Sequence, residues 1–206
     1  MTKSTMFLTL LLAACGSAAP TTDGGSDATS GGDRPVLVGH WVSACTPSDT
    51  GSLSLDFTIA SDTWSLDYDT FGDAACASPF LTIHIEGHYE VIAPSPLVAD
   101  AWTAHFGFDT KTVTPHGDAA VGFLMGLGDA CAGGGTWTDG TVRDVYAAGC
   151  AMLGQYPSSS CTGDYDVVSI DGSGALHFGQ RPADNDMCTE AKRPTMLSPL
   201  GLVRQG

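Results

Sequence analysis

Apolar and polar residues alternate with a period of two along much of this chain, and the alternating runs end at turns. Leu53, Leu55, Phe57 and Ile59 alternate with Ser54, Asp56 and Thr58, which predicts a strand with one face on a core. Trp64, Leu66 and Tyr68 alternate with Ser65 and Asp67 directly afterwards, and Ala60-Ser61-Asp62 between the runs reads as a hairpin turn. The longest run is Leu81 to Ile92. Its apolar set is Leu81, Ile83, Ile85, Tyr89 and Val91, set against Thr82, His84, Glu86, His88 and Glu90. Gly87 falls on the apolar face, where a glycine marks a bend or a close backbone approach. Trp102, Ala104, Phe106 and Phe108 form another such run, and Tyr165 to Ile170 and Ala175 to Phe178 flank the turn sequence Asp171-Gly172-Ser173-Gly174. One segment departs from the pattern: Asp118 to Leu127 reads as a short helix weakened by Gly122 and Gly126. One-sided strands joined by hairpins predict a mainly β, antiparallel barrel or sandwich.

Ahead of this pattern the chain changes character. Lys3 supplies a positive flank, Met6 to Leu12 is almost unbroken apolar sequence, and Ala13-Ala14 precede Cys15. That is the layout of a secretory signal, with an apolar stretch too short to span a bilayer. Leu12-Ala13-Ala14-Cys15 resembles the bacterial lipobox, whose cysteine is acylated and becomes the mature N-terminus. Residues 1–14 are therefore read as a lipoprotein signal peptide and Cys15 as the lipid attachment site. Each buried methylene contributes about 0.8 kcal/mol, so a multiply acylated cysteine anchors a protein without a transmembrane helix. Gly16 to Asp33 holds no aromatic and no large aliphatic residue and cannot offset its ordering entropy by burial. Residues 15–34 are read as a flexible tether with an r.m.s. reach of roughly 23 Å, and residues 35–206 as one β domain. The expected location is the cell envelope, lipid-anchored to a membrane, with the domain outside the cytoplasm. Gly16 resembles the residue that permits outer-membrane sorting in enterobacteria.

Cysteine and charge counts narrow the picture. The chain has seven cysteines, and assigning Cys15 to lipid leaves Cys45, Cys76, Cys131, Cys150, Cys161 and Cys188. In an oxidising compartment these form three disulfides, with fifteen connectivities open, each contributing about 2–4 kcal/mol. No C-x-x-C spacing suggests zinc or a redox pair. A net charge of −15, with only eight Lys and Arg, argues against nucleic acid as partner and against electrostatic docking on anionic lipid. No G-x-S-x-G elbow, H-E-x-x-H pair or phosphate-cradling loop is present, so neither an enzyme nor a cofactor is expected. His84, Glu86 and His88 share one strand face at metal-ligand spacing, but on the side opposite the apolar stripe, which makes solvent exposure the simpler reading. Asp67 to Asp73 partly mimics a calcium loop, with Ser78 where a bidentate Glu is required. Asp184-Asn185-Asp186 reads as a loop.

A resemblance joins these parts. Gly39-His40-Trp41-Val42-Ser43 is similar to the lipocalin signature, and more closely to the opening strand of the adenomatosis polyposis coli down-regulated protein family. Cys45, the aromatic run Phe57 to Tyr68, Cys76-Ala77-Ser78-Pro79 and Ile85-Glu86-Gly87 follow in that family's order. So do Asp164-Tyr165-Asp166-Val167-Val168, Leu176-His177-Phe178-Gly179-Gln180-Arg181-Pro182 and Arg193-Pro194. The resemblance spans most of Leu37 to Val203. It implies a single lipocalin-like barrel or half-barrel that shelters an acyl chain; the family's animal members bind the lipid on Wnt proteins. Cys45 and Cys76 flank the first hairpin of the matching region and are paired on that basis, while Cys131–Cys150 and Cys161–Cys188 are assigned without a sequence argument. The lipocalin likeness also implies that Trp41 closes the barrel base beneath Arg204 or Arg193, a contact worth about 1 kcal/mol.

A barrel of about eight strands either fills with side chains or encloses one small ligand. The candidate lining is Phe57, Trp64, Leu66, Tyr68, Ile83, Ile85, Tyr89, Trp102, Phe106 and Phe108. Two readings follow. In one, the protein is a membrane-tethered module binding a fatty acid, lipid or other apolar ligand in the barrel. In the other, a filled core supports a structural lipoprotein that engages another envelope protein through its surface.

Overall fold

The alternating segments close on themselves. The computed structural model describes residues 33–48 and 50–206, so the signal segment, Cys15 and nearly all of the tether lie outside the described residues. The protein is mainly β, 46% strand and 11% helical, and its centre is a closed antiparallel barrel of eight strands. Strands β1 (Gly39–Ser43), β3 (Gly51–Ile59), β4 (Thr63–Phe71) and β5 (Pro79–Pro94) form one part of the wall. Strands β6 (Trp102–Gly107), β9 (Gly163–Ile170), β10 (Leu176–Gly179) and β11 (Leu197–Gln205) complete it. The order round the ring is β3-β1-β11-β10-β9-β6-β5-β4 and back to β3. Closure matters because it leaves no ring strand with an unpaired edge.

The predicted hairpins are present. Ala60 N–H donates to Thr63 O at 2.8 Å in the turn between β3 and β4. In the turn from β9 to β10 the Asp171 carboxylate accepts from the Ser173 and Ala175 amides, and Gly174 takes a φ of 86°. β1 closes the ring by pairing with both β3 and β11, placing Trp41 between Phe57 and Arg204. Trp41 is 2% exposed, donates its indole N–H to Leu37 O at 2.7 Å and lies under the Arg204 guanidinium, 5.6 Å from the ring centroid. Arg193 lies over Tyr165 instead.

The long β5 serves two neighbours along one edge. Leu81 to Glu86 pair with β7 (Thr110–Pro115), and Tyr89 to Pro94 pair with β6. Gly87 stands at the changeover. A side chain there would collide with the Gly107 carbonyl, so a bare α-carbon lets β5 pass close to the corner joining β6 to β7. The remaining short strands, β2 (Thr46–Ser48) and β8 (Arg143–Asp144), extend the sheet outside the ring. Helix α1 (Gly117–Gly126) begins and ends one residue earlier than its sequence pattern suggests; it buries Ala120 and Leu124 and meets β5 and β7.

Three disulfides join Cys45 to Cys76, Cys131 to Cys150, and Cys161 to Cys188. The last ties the start of β9 to the irregular segment between β10 and β11. Asp67 and Asp69 are strand residues of β4, so the calcium-loop likeness has no loop behind it.

Candidate functional site

The barrel is hollow. A cavity of about 370 Å³ is walled by β3, β4, β6, β10 and β11 through Phe57, Trp64, Leu66, Phe106, Phe178 and Leu202, among others. A second hollow of about 560 Å³ shares Leu66, Tyr68, Ile85 and Arg181 with the first and runs on past Leu81 and Ile83. It reaches the surface beside Met152, which is 68% exposed. These volumes fall in the range of about 300–1,000 Å³ usual for ligand pockets. Aromatic contacts hold the walls in place: Phe178 stacks on Phe57 at 4.6 Å and meets Phe106 edge-on at 5.5 Å, while Trp64 meets Phe106 at 5.4 Å. The Trp64 indole N–H is satisfied by Gly107 O at 3.1 Å.

Phe57, Trp64, Leu66, Tyr68, Ile85, Phe106 and Phe108 line the first hollow and Ile83 the second, as the alternation anticipates. Phe108 lies just past β6, and its ring faces Lys111. Tyr89 and Trp102 are not among the residues that line these two hollows. Tyr89 stacks on Phe106 and donates its hydroxyl to Ala60 O at 2.9 Å. Trp102 begins β6 opposite Val168 and Pro94, at the end of the strand. A two-residue period tells which face a side chain takes, not how far along the barrel axis it sits.

The larger omission is polar. Asp164 and Asp166 of β9 and Arg181 after β10 also line the first hollow. Arg181 forms an ion pair with Asp164 and donates to Asn185 Oδ1 at 2.8 Å. Its side chain is 46% accessible, and it lines both large hollows and a third, smaller one. Asp166 is 4% exposed, and one of its oxygens accepts from the amides of Val167 at 2.7 Å and Gly179 at 2.9 Å. Burial pushes its carboxyl up to about 7, against the opposing pull of Arg181. Lys111 of β7 is 2% exposed, and burial lowers its ammonium to about 8. Its Nζ sits 3.7 Å from the Phe108 ring centroid and makes one long hydrogen bond, 3.4 Å, to Tyr156 O. Asp164 and Asp166 take the same strand face as Val168, opposite Tyr165 and Val167. That pair of inward carboxylates was the sequence signal that the apolar bias of the lining set passed over.

His84, Glu86 and His88 do not converge on a shared centre. His84 bridges Asp67 at 2.6 Å and Glu86 at 3.1 Å, whereas His88 turns to Asp109 at 2.8 Å. Among the described residues, the cluster close enough to hold an ion is Cys161, Asp164 and Cys188, and its two sulfurs are joined in a disulfide. Asn185, in the loop of Asp184 to Asp186, is more than a connector. It takes a φ of 55°, donates to Gly154 O at 2.9 Å and orients Arg181.

No family model matches the chain, and no curated protein sequence matches it.

Proposed function

We propose that the protein is a membrane-tethered envelope lipoprotein that binds an acyl chain, or another elongated apolar ligand, inside its barrel. The observation that carries this reading is the hollow itself. A domain with a filled core would close the space between Phe57, Trp64, Leu66 and Phe178, whereas here it stays open over about 370 Å³. Concave, mostly apolar walls with a few converging polar groups are what small-ligand sites share. Buried groups with displaced pKa values, such as Asp166 and Lys111, gather at functional sites for the same electrostatic reasons. The lipocalin-like signature around Trp41 agrees with a sheltered chain, and the lipobox-like Leu12 to Cys15 with a membrane anchor. The anchor and tether would hold the barrel within reach of a membrane that supplies or receives the ligand. Among the described residues no helix is long and apolar enough to cross a membrane, and the proposed attachment uses none.

Native mass spectrometry of the full-length chain, released gently from detergent, tests the proposal. The expected spectrum carries an adduct of acyl-chain mass that is lost on collisional activation. A spectrum of bare protein, together with no uptake of added fluorescent fatty acid, overturns it in favour of a structural or interaction role.

A further inference from the structure

The hollow has a charged wall, and this wall is richer in donors than in acceptors. Arg181 directs N–H groups to Asp164 and Asn185 and keeps others turned to the space between the two large hollows. Lys111 commits one N–H to a long bond with Tyr156 O and lies against a small hollow of about 20 Å³, room for a single water or one ligand oxygen. That hollow is also lined by Arg181, Asp164, Ile85 and Phe108, so it opens off the main cavity at its charged end. Tyr68 of β4 lines the two large hollows together with Arg181. On the acceptor side, Asp164 is committed to Arg181 and one oxygen of Asp166 to two backbone amides.

The balance of charge points the same way. The titratable groups facing this end are Tyr68 of β4, Lys111 of β7, Asp164 and Asp166 of β9, Tyr156 of the preceding loop and Arg181, with Asp184 lining the second hollow on its outer side. The small hollow itself is lined by two cations, Lys111 and Arg181, and by one carboxylate, Asp164, an excess of a single positive charge. Lys111, 2% exposed and held by one long hydrogen bond, is the cation that lacks a partner, and one incoming anion supplies it.

We infer that this end of the cavity receives the carboxylate of a long-chain acid between Arg181 and Lys111, so the barrel prefers a free acid to a neutral acyl ester or an amine. The inference rests on the proposed cavity function and adds the chemical class of the head. Its apolar tail lies along Phe57, Leu66 and Phe178. Because the head is held by two cations and opposed by two carboxylates, affinity falls as pH rises from about 6 to about 9. Over that range Asp166 gains negative charge and Lys111 loses positive charge, both in the direction that repels an anion.

The test uses the full-length chain and two fluorescent probes, parinaric acid and its methyl ester, with a long-chain amine as competitor. Charge-assisted hydrogen bonds contribute about 1.5–3 kcal/mol, roughly a ten- to hundredfold preference for the acid at pH 6. Lys111→Met, which replaces a buried charge with a side chain of similar length, is expected to erase most of that preference and leave ester binding within about twofold. Arg181→Gln is expected to act in the same direction. If the ester binds as tightly as the acid, or the amine displaces the acid, the head-group inference fails while the cavity function stands. If neither probe binds the wild-type chain, both fail.

Discussion

Gly87 of β5 lies with its bare α-carbon against the carbonyl of Gly107, the same carbonyl that accepts the Trp64 indole N–H at 3.1 Å. This contact sets how tightly the wall turns where β5 passes from β7 to β6. The obstacle to a larger residue is backbone, which does not swing aside as a long side chain would. Gly87→Ala is expected to destabilise the domain by about 1–3 kcal/mol, the range for overpacking. Gly122 is the control: in α1 nothing lies within 4 Å of a Cβ built there, so Gly122→Ala is expected to stabilise by about 1 kcal/mol. Urea denaturation of both variants checks the contrast.

Ile85 is 6% exposed and lines both large hollows. Ile85→Asp introduces an unpaired carboxylate into an apolar wall and is expected to abolish fluorescent fatty acid binding. Ile85→Ala is expected to bind still, and to fall short of the roughly 2–5 kcal/mol lost in a close-packed core, because one side of the residue already faces space. A large loss in Ile85→Ala with no binding to wild type indicates a filled core.

Asp166 makes stability depend on pH. Its folded-state pKa of about 7 lies above the ordinary aspartate value of 3.8. Between these values the folded chain holds a proton that the unfolded chain has released. Stability therefore declines as pH rises from about 4 to about 7 and then levels off. Asp166→Asn keeps an acceptor for the Val167 and Gly179 amides but cannot ionise. The variant is expected to match wild type near pH 4 and exceed it above pH 7. A tenfold change in proton affinity corresponds to about 1.4 kcal/mol, so the gain is of the order of a few kcal/mol. Thermal melts across that range decide it; parallel curves would refute the assignment.

The three disulfides differ in access. Cys45 is exposed and Cys76 half-buried, whereas Cys131 and Cys150 are both 0% exposed and Cys161 is 2% exposed. Thiol exchange needs the attacking thiolate to reach a sulfur. Limited reduction followed by alkylation and peptide mapping is expected to label Cys45 and Cys76 first. Replacing Cys131 and Cys150 together with Ala is expected to cost about 2–5 kcal/mol.

Anchoring is tested at Cys15. The Cys15→Ser chain is expected to remain uncleaved or to leave the detergent-rich phase on phase separation. Processing and partitioning like the wild type would overturn the lipoprotein assignment.

Strand positions were legible in the sequence because an antiparallel strand with one buried face writes its own period. Leu53 to Ile59, Trp64 to Tyr68 and Leu81 to Val91 all carry it, and the glycine at position 87 announced a close approach. β7 and β11 were missed for the complementary reason. Thr110 to Pro115 is mostly threonine and proline with a buried lysine, and Leu197 to Gln205 carries a proline, a glycine and no clean alternation. Trp41 was legible as structural, yet only the fold chose Arg204 over Arg193 to cover it, because β1 pairs with β11 from the opposite end of the domain.

Local sequence was enough to assign a face to the residues of the alternating strands, to make the domain antiparallel β, and to offer six cysteines for pairing. The two-residue pleat and the composition dictate those properties without reference to distant chain. Ring closure, the hollow and the charged wall arise only in three dimensions. Lys111, Asp164, Asp166 and Arg181 come from three separate parts of the chain, and nothing local says that they meet. Whether inward side chains fill a barrel depends on the sum of their volumes against a space set by strand number and tilt. That sum exists only once the ring has closed.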